Sequence, residues 1–167
     1  MLLDMKSNYR DHGAIGALLD EYEKALNELI DIIEHINEED MSQIVDKNTE
    51  DKDCRSIQSI LNHVLRAGYN YAVEIRRHLG ESYEYLDPEI MTSGKAYKKA
   101  LKGMFVFNEV LFSDHNELSI EEHDDHKKIK VRWGQSYDIE QLLEHAIVHI
   151  LRHRRQIERF LLQMHSR

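Results

Sequence analysis

The near absence of proline most constrains what this chain can fold into. Pro88 is the only proline among 167 residues, and proline breaks helices because it lacks a backbone N–H and clashes with the preceding turn. Long helices are therefore permitted on both sides of it. Apolar residues recur at spacings of three and four in four stretches, which predicts four amphipathic helices. These are expected at about residues 14–36, 56–79, 93–112 and 139–164.

The segments between the predicted helices carry turn and capping signals. Residues 37–55 are charged and non-periodic. Gly80 and Pro88 bracket the second connection, where glycine and proline favour a helix end. Asp138 is a good N-cap for the last helix, and Gln141 three residues later completes a capping box.

The third connection, residues 113–137, is polar at first and then alternates over residues 128–133, which indicates a short extended segment. No internal repeat interrupts this order. The sequence therefore predicts an all-α fold with one domain over residues 1–167. Its expected architecture is a four-helix bundle with long connections after helices one and three.

Charge and hydropathy exclude several kinds of partner. The chain has 22 Lys and Arg against 31 Asp and Glu, a formal charge of −9, so it lacks the cations that nucleic acid or an anionic membrane surface requires. It has no run near the roughly 18 apolar residues of a membrane helix, and its first residues lack a signal-peptide hydrophobic region. The single cysteine, Cys54, cannot form an intramolecular disulfide, so we expect a cytoplasmic location and an inert thiol.

The chain has eleven histidines, a number that favours the presence of a metal site. His145, His149 and His153 follow one another at intervals of four on the last predicted helix. At about 100° per residue, His149 and His153 fall on the apolar side and His145 falls well off it. A buried pair one turn apart would chelate a divalent cation as neutral imidazoles, whereas burying a proton there would cost several kcal/mol. Ordinary packing of two core histidines is an equally good interpretation at this point.

A third ligand would have to come from another helix. His63 lies on the flank of the second helix's apolar stripe, beside Ala67, and by itself reads as a surface histidine. With the pair on the last helix it would complete a three-histidine site with one open position, the pattern of catalytic zinc sites.

Two segments resemble the DinB/YfiT-like superfamily. They are residues 59–64 (SILNHV) and residues 149–157 (HILRHRRQI). The last five residues of the second segment are similar to the family's H-R-x-Q-I ending, with Arg155 where many members have glycine. The lead-in at residues 131–134 (VRWG) is also similar.

The resemblance implies a four-helix bundle in up-down-down-up order that holds one divalent metal through His63, His149 and His153. Three imidazoles suit several first-row metals, so zinc or nickel is expected first, with iron or manganese as alternatives. Characterised relatives include S-transferases and isomerases that use low-molecular-weight thiols, and others look like hydrolases. A small-molecule substrate, a thiol cosubstrate and a homodimer are therefore expected. No general base is identifiable, so the catalytic residues stay unassigned.

A non-catalytic function is the alternative. In that interpretation the chain is a dimeric helical protein for binding or stress response, and its histidine site is structural or vacant. A structural site would close with four protein ligands. Phe105 and Leu151 lie outside the core stripes and are the expected residues of a dimer face.

Other metal sites and polar clusters rank lower. No histidine follows a glutamate at the spacing of a di-iron site, and no H-E-x-x-H motif occurs. The acidic, histidine-rich loop at residues 114–126 is expected to be solvated. Four arginines near the end of the last helix are interpreted first as a solvated basic face and second as a site for an anionic substrate: Arg152, Arg154, Arg155 and Arg159.

Overall fold

The computed structural model describes residues 9–166, and these residues are mostly helical. The prediction of an all-α fold is confirmed. No described helix combines the length and the apolar character that crossing a membrane requires. The prediction about a signal peptide falls mainly on residues outside the described range. The helices are α1 (Gly13–Ile33), α2 (Glu38–Ser42), α3 (Ile57–His78), α4 (Gly94–Asp114) and α5 (Ile139–His165).

The four long helices surround one hydrophobic core. α1 packs mainly against α4 and α5, and α3 packs mainly against the same two helices. The first two long helices, α1 and α3, therefore lie across the core from each other, and a long connection that contains α2 joins them. Each long helix contributes side chains with no exposed surface to this core, among them Leu29, Leu61, Leu101 and Leu142.

Capping interactions fix the starts of the two helices that carry the predicted ligands. The Asp138 side chain accepts a hydrogen bond from the Gln141 N–H, and the Gln141 side chain accepts one from the Asp138 N–H, so the predicted capping box is confirmed. Ser56 and Ser59 form the same reciprocal pair at the start of α3. Gly80 ends α3 with a φ of +87°, which glycine adopts without a steric penalty.

The first connection differs from its predicted structure. The first helix ends at Ile33 rather than near residue 36, because Asn37 caps a new short helix by accepting a hydrogen bond from the Asp40 N–H. This helix, α2, buries Met41 completely, and a 3-10 turn at Lys52–Cys54 follows. Each of these two short elements buries only one residue, so neither produces a periodic pattern in the sequence. For this reason the sequence predicts a charged loop over residues 37–55.

The extended segment predicted over residues 128–133 is confirmed only for Ile129–Lys130, because residues 132 and 133 already lie in a turn. Strand β1 (Ile129–Lys130) pairs antiparallel with β2 (Ser136–Tyr137). The turn between them contains Gly134 with a φ of +91°. The adjacent residue, Trp133, lies close to the first half of α5.

The expected position of Phe105 on a dimer face is wrong. Phe105 is only 4% exposed and packs edge-to-face against Tyr22, with ring centroids 5.6 Å apart. Its neighbour Met104 is also buried, because α4 contacts both α1 and α3 and so buries a wider face than one stripe. Leu151 is 38% exposed. The homodimer stays a prediction.

Candidate metal centre

Three histidines from two helices converge on one point. α3 contributes His63, and α5 contributes His149 and His153. One ring nitrogen from each lies within 4.8 Å of the others, close enough to hold a metal ion. The Nε2 atoms of His63 and His149 are 2.9 Å apart. Among residues 9–166 this is the one group of three or more ligating side chains with such spacing.

The packing of α3 against α5 explains why these rings meet. His149 and His153 are one helical turn apart, so they share a face of α5, and their ring centroids are 4.4 Å apart. His63 faces both rings across the contact between α3 and α5. It is therefore half-buried between two helices, and its interpretation as a surface histidine is wrong.

The three nitrogens fit a divalent transition metal. Ligands bound at about 2.0–2.1 Å in tetrahedral geometry lie about 3.3 Å from one another. That separation falls between the shortest distance observed here, 2.9 Å, and the 4.8 Å limit of the group. Small rotations of the rings would therefore bring all three Nε2 or Nδ1 atoms into the coordination sphere of one ion.

Hydrogen bonds from the outer ring nitrogens orient two of the histidines. Nδ1 of His63 lies 3.2 Å from a carboxylate oxygen of Asp53. Nδ1 of His153 lies 3.0 Å from the side-chain oxygen of Gln156. With Nδ1 protonated, each ring donates to this oxygen and keeps its Nε2 lone pair for the centre; Arg66 also approaches Nδ1 of His63, at 3.4 Å. Such partners fix the tautomer of metal-binding histidines.

Burial keeps these imidazoles neutral. It is the main cause that lowers the pKa of His149 to about 2 and of His153 to about 4, and the neighbouring histidines lower both further. Burial also lowers the pKa of His63, although Asp53 opposes this effect. Metal binding requires neutral imidazole. At neutral pH all three rings are therefore in the protonation state that a metal needs.

A cavity of about 410 Å³ opens beside the three histidines. Tyr71 and Trp133 form an aromatic wall of this cavity, with ring centroids 5.8 Å apart. His145 stacks on Trp133 within the same wall. The prediction that His145 is not a ligand agrees with its position outside the group of three. Its ring nevertheless lines the cavity, which the prediction did not include.

Sequence reasoning missed the residues that support the ligands. Asp51 caps the 3-10 turn, Asp53 lies within it and Cys54 ends it, so all three come from the segment that the sequence predicts to be a charged loop. No pattern in that segment marks them. Gln156 had a usable signal, since it follows His153 by three residues and so lies next to it on a helix.

The cavity lining includes Cys54, which is 9% exposed. Burial is the main cause that raises the pKa of its thiol, and a hydrogen bond with Gln156 opposes the shift. The thiol is therefore protonated at neutral pH. This agrees with the expectation of an inert cysteine.

In comparisons with known proteins, no family model matches the chain, and no curated protein matches its sequence. The resemblance to the DinB/YfiT-like superfamily therefore stays a prediction. It is based on the short motifs around the three histidines.

We predict that Asp53→Asn weakens zinc binding by about tenfold to a hundredfold, the usual effect of removing a carboxylate behind a histidine ligand. The change removes the negative acceptor of the His63 Nδ1–H. Competition with a chromophoric chelator measures the dissociation constant.

The matched control for this variant is Asp87→Asn. Asp87 pairs with the same arginine as Asp53, Arg66, but is largely exposed. Its variant should bind zinc as the parent does. Equal weakening in both variants would mean that the surface charge, rather than the contact with His63, controls affinity.

We also predict that the metal-free protein loses stability as the pH falls from about 7 to about 5. The unfolded chain takes up protons on its histidines near their usual pKa of about 6.5, whereas the folded state holds His149 and His153 neutral to lower pH. Protons therefore favour the unfolded state in this interval. Each such histidine contributes a loss of about 1–2 kcal/mol in the free energy of unfolding.

Urea denaturation at both pH values measures this loss. His149→Gln should reduce it, and His123→Gln, which changes an exposed side chain, should not. An unchanged pH dependence in His149→Gln would show that His149 titrates freely in the folded protein.

Proposed function

We propose that this protein is a metal-dependent enzyme of the DinB/YfiT-like four-helix-bundle type, with His63, His149 and His153 as its metal ligands. The observation that carries this proposal is the convergence of three neutral imidazoles beside an open cavity. Catalytic zinc sites combine three protein ligands with a free position in the same way.

The arrangement of the long helices supports the family assignment. The second connection returns along α3, where Asn62 donates to the Pro88 carbonyl and Gln58 to the Met91 carbonyl, so α4 begins beside the start of α3. These two helices are therefore parallel, which suits the down-down step of an up-down-down-up bundle. The motif residues also have matching positions, since His63 and the pair on α5 face one another. The cytoplasmic location inferred from the single cysteine stays a prediction.

The donor set favours zinc or nickel, with iron or manganese as alternatives. Neutral imidazole binds all four metals, and the absence of a thiolate from the group of three removes a preference for softer ions. When bound, such a metal acts as a Lewis acid that lowers the pKa of a water or thiol at its open position.

The chain's own residues position the reactants. Asp53 and Gln156 hold two ligands in their metal-binding tautomers. Tyr71 stays protonated because burial raises the pKa of its hydroxyl. Its ring and that of Trp133 form one wall of the cavity. A cavity of about 410 Å³ suits a small-molecule substrate.

Two reaction types are consistent with this site: transfer to a low-molecular-weight thiol, and hydrolysis. The resemblance favours the first slightly, since thiol-dependent transferases are among the characterised relatives. Both types need an open coordination position and no protein nucleophile. The buried and protonated thiol of Cys54 agrees with the second condition.

A structural metal site in a non-catalytic protein is the alternative function. It would need a fourth protein ligand. Asp51, Cys54 and His145 line the cavity and are the candidates, but none of them belongs to the group whose ligating atoms lie within 4.8 Å. This spacing favours the enzyme.

We predict about one equivalent of a divalent metal per chain when the protein is purified without a histidine tag or a chelating column. His149→Ala and His153→Ala should each abolish this stoichiometric metal, because two imidazoles hold an ion much more weakly than three. Elemental analysis provides the measurement.

His145→Ala is the matched control, since it removes a histidine of the same helix and cavity from outside the group of three. It should retain about the full equivalent. Equal loss in all three variants would mean that a different set of histidines binds the metal. No metal in the parent after incubation with zinc and nickel would overturn the proposal.

A further inference from the structure

The cavity beside the three histidines is lined by an excess of positive charge. Its lining contains Arg66, Arg132 and Arg152 but only one carboxylate, that of Asp51. The ionised side chains of the lining therefore have a net positive charge, whereas the whole chain has a formal charge of −9. The excess would increase further with a divalent ion bound by neutral imidazoles.

The three arginines differ in how far the protein neutralises them. Arg66 forms ion pairs with Asp53 and Asp87, and these carboxylates neutralise its charge. Arg132 has one distant carboxylate, with Nε 3.9 Å from Glu74. Its guanidinium lies 3.6 Å from the centroid of the Tyr85 ring. Stacking fixes the guanidinium and leaves N–H groups at its edge for a ligand.

Arg152 is the least neutralised of the three. It forms no ion pair with any residue between 9 and 166. It lies on α5 between His149 and His153, at the rim of the cavity. Arg152, His149 and His153 all belong to the lining of this one cavity, so the guanidinium shares the cavity with the proposed ligands.

An apolar wall stands beside these two cations. Trp133 has a large apolar ring, yet 44% of the residue is exposed. It is the only tryptophan of the chain. Its ring meets Tyr71 edge-to-face, stacks on His145 and lines the cavity. A large aromatic ring at the mouth of a cavity is typical of a surface that contacts the apolar part of a ligand.

We propose that this cavity binds small molecules that carry a carboxylate or phosphate group on an apolar body. Arg152 and Arg132 bind the oxyanion, and Trp133 packs against the apolar body. This inference rests on the proposed function, because it names the substrate class of the same cavity. Guanidinium groups suit both oxyanions, since their paired N–H donors match the oxygen atoms of each.

Trp133 provides a local probe of binding, because no other tryptophan contributes to the fluorescence. The zinc-loaded protein is titrated with hexanoate, hexyl phosphate and the neutral hexanamide. We expect a saturable change with at least one anion and binding of hexanamide at least about tenfold weaker. Tighter binding of hexanoate would identify a carboxylate ligand, and tighter binding of hexyl phosphate a phosphate ligand.

Arg152→Gln should weaken binding of the preferred anion by about fivefold, the effect of one partly exposed ion pair. Arg132→Gln is the second variant and should act in the same direction from a different element. Arg155→Gln is the matched control, because it removes the same charge from an exposed position of α5 outside the cavity. It should bind as the parent does.

Three results would overturn this inference: hexanamide binds as tightly as the anions, Arg155→Gln weakens binding as much as Arg152→Gln, or neither anion binds. Metal content is measured on the same samples, which separates the two proposals. If the protein holds one equivalent of metal but binds neither anion, the proposed substrate class is wrong and the proposed metal site stands. Arginine-dependent anion binding in a protein that takes up no metal contradicts the enzyme and leaves the anion site.

Discussion

The burial of three imidazoles against one another is the constraint on which the rest of the site depends. His63, His149 and His153 meet where α3 packs on α5, and burial lowers the pKa of each ring. Positive charge at this contact would cost free energy both through desolvation and through mutual repulsion. The same contact that stabilises the packing of the two helices therefore maintains three neutral nitrogen donors.

The first connection supplies a residue that orients one of the three histidines. Its 3-10 turn ends next to the start of α3 and presents Asp53 to Nδ1 of His63. The carboxylate also pairs with Arg66, so the turn is tied to α3 at two points. On α5 the support is local, since Gln156 reaches His153 within one turn. A ligand on each helix is thus oriented by a different neighbour, Asp53 from the first connection and Gln156 from α5 itself.

Helical periodicity is strong enough to predict the long helices, the capping box at Asp138 and the face that carries His149 and His153. It fails where few residues determine the structure. α2 buries a single methionine, and the contacts of Asp53 and Cys54 depend on how a non-periodic segment folds back. His63 lies at the edge of its helix's apolar stripe, so only the presence of α5 makes it half-buried. The burial of Phe105 has a similar cause, because α4 contacts two neighbours.

The central claim is a three-histidine site with one position open to small molecules. X-ray absorption spectroscopy at the zinc edge of the zinc-loaded protein tests it most directly. The account predicts about three imidazole nitrogens at about 2.0–2.1 Å and one further light atom supplied by solvent. A sulfur at about 2.3 Å, which only Cys54 or a methionine of this chain would supply, or fewer than three imidazoles would contradict it.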